Sequence, residues 1–524
     1  MIGLNSREKN CLVHVSCHAH GVKYSSSGVD TDFYMQWFAH SNTNVQMSPF
    51  IPKLGTVYQL HRSKLLTTCD SRSCVHLFVP MSSAALWAYV STSHYCTGPP
   101  PTVGPTETME LSDIHPFTIS VPDSDLTELY KKLELTRLPD ELDLPTGQEW
   151  EWGMPLAVLK PVVDYWRTSY DWRAVEERIN RTLPQFTTSI ESRAHGSQNI
   201  HFVLKKSDNP SAIPLLFVHG WPGNFLEVSK IIDELANPSD PKHPSFHVVT
   251  PSIPGFVFSD RASTPGMDAI GTAFIFDKLM TKLGFKHYLA QGGDWGARVI
   301  RALALYHKET CLGTHANLIS YGAPTFWRNP VISLKLILGG KGIPGGYSAD
   351  EMAGLQRMQE FLTTGNAYMR QQGTRPQSLA YALTDSPVGL LAWIGEKLYA
   401  WTDNYTWTPE ELITWTMLYW VKGPAGGLRY YKENHITHRG SRTGPHAELE
   451  FAWSSTPFAF SLFPKEVAPL PLEWAGLRQN LVYAKKHDKG GHFAAWEVPE
   501  LLSDDIRQFA RIVQERDGRL RARV

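Results

Sequence analysis

The sequence predicts an α/β fold with a mostly parallel sheet, a helical cap inserted into that sheet, and a meander ahead of it. Three observations carry this. Short apolar runs at 214–218, 246–251, 287–291 and 313–318 alternate with helical segments such as 225–236 and 272–283, which is the pattern of parallel strands with helices on both faces. The alternation stops near residue 325, gives way to helical sequence rich in Trp, Tyr, Gly and Pro, and resumes at 458–463 and 481–485, so an insertion interrupts one sheet. Finally, Gly292-Gly293-Asp294-Trp295-Gly296 joins a predicted strand to good helix formers at 297–306.

In chain order, residues 1–105 lack sustained periodicity, are rich in Ser, Thr, His and Cys, and end in Gly98-Pro99-Pro100-Pro101. They are expected to be an extension that is poorly ordered or not native to the fold. Order is expected from Ile114-His115-Pro116-Phe117. Asp123 or Asp125 is then expected to cap a helix with apolar positions Leu126, Leu129, Tyr130 and Leu133, Glu128 completing a capping box on Asp125, and Pro139 closes it. Helices through Trp166 and Trp172 and a strand pair over 186–204 follow, so 106–205 reads as an N-terminal meander that wraps the core. The first part of the core is 206–324, the helical cap 325–445, and the second part of the core 446–524. A cap at that point in the chain covers the carboxyl ends of the strands, where open sheets bind ligands.

Composition narrows the partner. The chain has 524 residues, with Lys+Arg 50 against Asp+Glu 51 and a net charge of -1. Such a balance supplies no field for nucleic acid, and a neutral small molecule is the expected ligand. Of six cysteines only Cys311 lies beyond residue 100, so the body of the protein is not built on disulfides and suits a reducing compartment. The first ten residues are polar and no apolar signal segment follows them. The most apolar early window, 75–90, is broken by His76, Pro80, Ser82 and Ser83, which makes it a poor membrane span.

The chemistry centres on Asp294. A strand, a sharp glycine-flanked turn and a helix make a nucleophile elbow, and here the exposed side chain is a carboxylate. A carboxylate is ionised at neutral pH, attacks an alkyl carbon without a base, and forms an ester that water can later cleave, so no cofactor and no metal are called for. His492, in Gly490-Gly491-His492-Phe493-Ala494-Ala495, follows a late strand and precedes a helix, the place for a base that activates water. It is one of 21 histidines, and only its position behind the elbow singles it out. Glu466 closes the strand ending Leu462-Phe463-Pro464-Lys465-Glu466 and is expected to orient the imidazole, with Asp488 as the alternative. The turn His219-Gly220-Trp221-Pro222-Gly223 is expected to supply one backbone N–H of an oxyanion hole, from Trp221, and Trp295 the other.

Together these four motifs resemble the epoxide hydrolases of the α/β-hydrolase fold, and among them the microsomal type and its soluble fungal relatives. The order nucleophile, acid, base along the chain is the order in that fold, and the resemblance covers about 114–512. It implies hydrolysis of an epoxide to a vicinal diol through an aspartyl alkyl-enzyme ester. It also implies two cap tyrosines that hold the epoxide oxygen, at the matching positions Tyr368 and Tyr431, with Tyr430 as the neighbouring alternative. The expected partners are a small hydrophobic epoxide and water, and a homodimer through the cap or meander is the candidate assembly. The expected location is the cytoplasm, with loose association at the endoplasmic reticulum as the alternative. The first hundred residues do not match, and Val257 stands where relatives often have glycine. A haloalkane dehalogenase would share Asp294 and His492 but not the tyrosine pair, and a ligand-binding protein of the same fold without turnover is the reading from another class.

Overall fold

The computed structural model describes residues 16–18, 87–89, 113–192, 194–319, 324, 326–434 and 445–520. The chain divides into two compact units, Met1–Glu107 and Thr108–Val524. In the first, β1 (Ser16–His18) and β2 (Trp87–Tyr89) pair antiparallel. The expectations for the rest of residues 1–105, including most of the apolar window at 75–90, lie outside the described residues.

The second unit is built on β3 (Ile114–Phe117), β4 (Gln185–Ser192), β5 (Gly196–Lys205), β6 (Ile213–Val218), β7 (Phe246–Pro251), β8 (Tyr288–Gly292), β9 (Cys311–Ala316), β10 (Ser454–Leu462) and β11 (Gln479–Lys486). They form one sheet in the order β11-β10-β9-β8-β6-β7-β5-β4-β3. Every pair from β7 to β11 is parallel, and β3, β4, β5 and β7 pair antiparallel. Burial follows from this arrangement. Strands β6, β8 and β9 are buried almost throughout, as strands covered on both faces must be, whereas β4 is exposed at intervals. From β6 the chain moves to β7 on one side and then crosses to β8 on the other, so a crevice opens at the carboxyl ends of β6 and β8. The helix Asp294–Tyr306 packs behind it. Arg298 pairs with Glu450 at 3.0 Å, and the Arg301 guanidinium donates to the carbonyls of Leu449 and Arg478, which ties the two parts of the core together.

The expected strand pair over 186–204 is β4 and β5, and with β3, only four residues long, it adds three antiparallel strands to the sheet. Three local expectations are corrected. Strand β9 ends at Ala316, so Asn317 and Leu318 lie beyond it. The helix expected at 225–236 breaks into a tight 3-10 turn, Phe225–Lys230, and a short α-helix, Ile232–Ala236; the Asn224 side chain accepts from Leu226 N–H at 2.9 Å and winds the first turn tightly. The helix Asp123–Glu134 starts after Pro122 with no side-chain cap, so the Asp125–Glu128 capping box is absent. Asp123 pairs instead with Arg173, and Tyr130 faces outward while Leu129 and Leu133 are buried.

Between β9 and β10 the described residues are mainly helical, from Pro330–Gly340 through Pro387–Ala400, Pro409–Lys422 and Ala425–Glu433 to Pro445–Phe451. Among the described residues no helix is long and apolar enough to cross a membrane.

Candidate active site

Strand β8 ends at Gly292, and Asp294 opens the next helix with φ of +46°. An L-residue there is strained by about 1–3 kcal/mol, and persists only where its surroundings fix it. Three glycines allow the turn. A Cβ on Gly292 would lie 2.6 Å from the carbonyl carbon of Gly296, one on Gly296 would lie 2.0 Å from the Val218 oxygen, and one on Gly220 would lie 2.2 Å from the Asp294 Cβ. The helix can therefore press against β6, and the Asp294 carboxylate fills the space that Gly220 leaves. Trp221 N–H donates to Asp294 Oδ1 at 2.9 Å. The amide of Trp295 lies in the first turn of the same helix, where backbone N–H groups have no acceptor within the helix.

His492 sits in the loop after β11 and is held from both sides. Its N–H donates to Trp401 O at 2.9 Å, and its carbonyl accepts from Asn317 Nδ2 at 3.3 Å. Its Nδ1 is 2.5 Å from Glu466 Oε1, and its Nε2 faces Asp294 Oδ2 at 3.4 Å. Glu466 is fully buried and also accepts from the Val467 N–H at 2.7 Å. Burial presses the imidazole towards its neutral form, but the Glu466 and Asp294 carboxylates outweigh it and hold His492 well above the usual histidine range. Asp488, the alternative acid, is exposed.

Above the carboxylate lie the two cap tyrosines. Tyr368 stacks on Trp221 with ring centroids 5.4 Å apart, and Tyr431 meets Trp295 edge-on at 4.8 Å. The two tyrosine rings are 5.8 Å apart and meet edge to face. Burial raises the Tyr431 hydroxyl well above the usual tyrosine range, so it is a neutral donor at neutral pH. Tyr430 points away, its hydroxyl 3.0 Å from Thr272 Oγ1, which separates it from its neighbour.

The chain matches the family model described as epoxide hydrolase N terminus over residues 114–228 and the one for the alpha/beta hydrolase fold over 213–325. It is 35% identical to epoxide hydrolase 1 of Sus scrofa, over 78% of this chain and 90% of that protein. It is 34% identical to juvenile hormone epoxide hydrolase 1 of Ctenocephalides felis, over 77% of this chain and 86% of that one. The solved structure of Aspergillus niger epoxide hydrolase superposes with a TM-score of 0.66 at 33% identity, covering 76% of this chain and 96% of that chain. The chain belongs to the microsomal-type epoxide hydrolases of the α/β-hydrolase fold. In this epoxide hydrolase several residues around the site escape a reading of the sequence. Gln291 ends an apolar run, Asn317 follows the next strand, and Glu227 follows the His219 turn, so their one signal is a polar residue at the carboxyl end of a strand or in the turn beyond it. Glu497 leaves less trace: its carboxylate accepts from the amides of Gly491 at 3.1 Å, Phe493 at 3.2 Å and Asp403 at 2.8 Å, bracing the His492 loop against the cap. Val257 has φ of +47°, which accounts for the glycine expected there and leaves the enzyme with a second strained residue near the site.

Proposed function

We propose that this epoxide hydrolase opens a small hydrophobic epoxide through a covalent ester on Asp294. Trp221 N–H engages Oδ1, so Oδ2, which has no backbone donor and faces the His492 imidazole, is the oxygen that attacks an epoxide carbon. The carbon–oxygen bond of the ring breaks, and the leaving oxygen takes a proton from the Tyr368–Tyr431 pair, as a strained ether requires of a positioned acid. In the second half, water attacks Cγ of the ester and gives a proton to His492 Nε2, while charge gathers on Oδ1 at the N–H groups of Trp221 and Trp295. The Cγ–Oδ2 bond then breaks, His492 returns the proton to the departing oxygen, the water's second proton leaves the regenerated Asp294 carboxyl and restores the tyrosine pair, and the diol leaves. Glu466 keeps the imidazole oriented and stabilises its charged form. The observation that carries this reading is the two-sided hold on one carboxylate, with a backbone donor on Oδ1 and the imidazole 3.4 Å from Oδ2.

A single turnover in oxygen-18 water tests it. The first diol formed is expected to be unlabelled, because its new oxygen comes from Asp294, and Asp294→Ala is expected to give none. A labelled diol in the first turnover would mean direct attack by water and would overturn the ester.

A further inference from the structure

Behind the nucleophile lies a small cavity of ≈ 10 Å3 lined by Asp294, His492, Gly220, Glu227, Gln291 and Asn317. That is about the room one buried water needs, provided two to four polar partners face it. Two groups with no part in the chemistry above meet this condition. Gln291 is 1% exposed, and its Oε1 has no hydrogen-bond partner among the described residues. The Glu227 carboxyl is folded back by the 3-10 turn, so that Oε1 lies 1.5 Å from where a Cβ on Gly223 would stand. The two glycines of the His219 turn thus have parallel uses: Gly220 makes room for the carboxylate of Asp294 and Gly223 for that of Glu227.

We propose that this cavity is the site of the hydrolytic water and that Glu227, with Gln291, positions that water for attack on the Asp294 ester. The inference rests on the ester reading. One hydrogen of the water points to His492 Nε2, which takes it as the oxygen bonds to Asp294 Cγ, and the other is held by a carbonyl-type oxygen of Glu227 or Gln291. No proton passes to Glu227. Burial is the main influence on Glu227 and pushes its carboxyl up to about 8, with the Asp294 carboxylate adding to the rise and His492 opposing it, so below that pH the group is neutral and can hold water without repelling the ester's developing charge.

The test separates the two half-reactions by rapid mixing with excess epoxide, followed by acid quench and mass measurement of the protein. In Glu227→Ala, alkylation is expected to stay within twofold of wild type and ester hydrolysis to slow at least tenfold, so the adduct accumulates and kcat and KM fall together. Gly223→Ala, whose methyl displaces the carboxyl without removing it, is expected to do the same. Glu227→Gln keeps a neutral carbonyl and should bring hydrolysis back to within threefold of wild type. Unchanged hydrolysis in Glu227→Ala, equal losses in both steps, or a glutamine variant as slow as alanine would each overturn the positioning role while leaving the ester intact. If the first-turnover diol of the wild-type enzyme carries oxygen-18 from water, the ester reading fails and this inference with it.

Discussion

Asp294→Asn removes one of two negative charges that hold the His492 proton, and it mimics the neutral ester. In the free enzyme burial works against the imidazolium, yet Glu466 at 2.5 Å and Asp294 at 3.4 Å prevail, so His492 is protonated at neutral pH and a poor base. On the proposed ester mechanism, alkylation would cancel the Asp294 charge and the imidazole would then lose its proton more readily. The base would become available once the ester exists. The Asn variant should accordingly titrate His492 lower than wild type, as followed by nitrogen-15 NMR of the imidazole. In the wild-type enzyme ester hydrolysis should rise with pH through an apparent value below that of His492 in the free protein. A His492 titration that does not move in the variant would show that the two groups are uncoupled. At this scale the sequence is uneven. Asp294 and His492 are legible from glycine-flanked motifs, whereas Glu466 is legible only by its place after a strand, and nothing in the string Tyr430-Tyr431 tells which ring turns towards Thr272.

The cap meets the core through a contact that only glycine permits. Gly255, with φ of +89°, lies against the helix Ala425–Glu433, and a Cβ on Gly426 would come 1.9 Å from the Gly255 oxygen. Backbone faces backbone here, so neither side can yield by turning a side chain. Tyr431 is carried on the same helix, five residues along. Gly426→Ala should therefore cost about 1–3 kcal/mol as overpacking does, lower the melting temperature, and slow alkylation at least tenfold by moving the tyrosine away from Asp294. An alanine variant with wild-type melting and alkylation would refute a rigid contact. The elements themselves separate into those with a strong signal and those without. Strands β6 to β9 declare themselves because burial on both faces demands short, mainly apolar runs between the helices. The Phe225–Lys230 turn does not, since its apolar spacing is also that of a helix and the Asn224 cap would serve either. The end of β9 is equally silent, because Asn317 continues the chain without a break and is set apart by its bond to the His492 carbonyl.

Everything proposed to act lies within Thr108–Val524, and so does the nine-stranded sheet. The buried apolar core among the described residues starts at Ile119 and runs to Leu520, and a chain of that length buries enough surface to be stable alone. The two parts of the core, separated in sequence by the cap, are joined through the buried Arg298–Glu450 pair and the Arg301 contacts, so neither needs an outside element to hold it to the other. In the first unit the described strands β1 and β2 pair with each other. The protein lacking Met1–Glu107 is therefore expected to fold, to unfold in one cooperative step, and to hydrolyse epoxides with kcat/KM within twofold of the full chain. Calorimetry and steady-state kinetics on both forms decide this. Loss of the cooperative transition would mean that the first unit supports the sheet, whereas an intact transition with kcat/KM changed tenfold or more would mean that residues 1–107 act on the site itself.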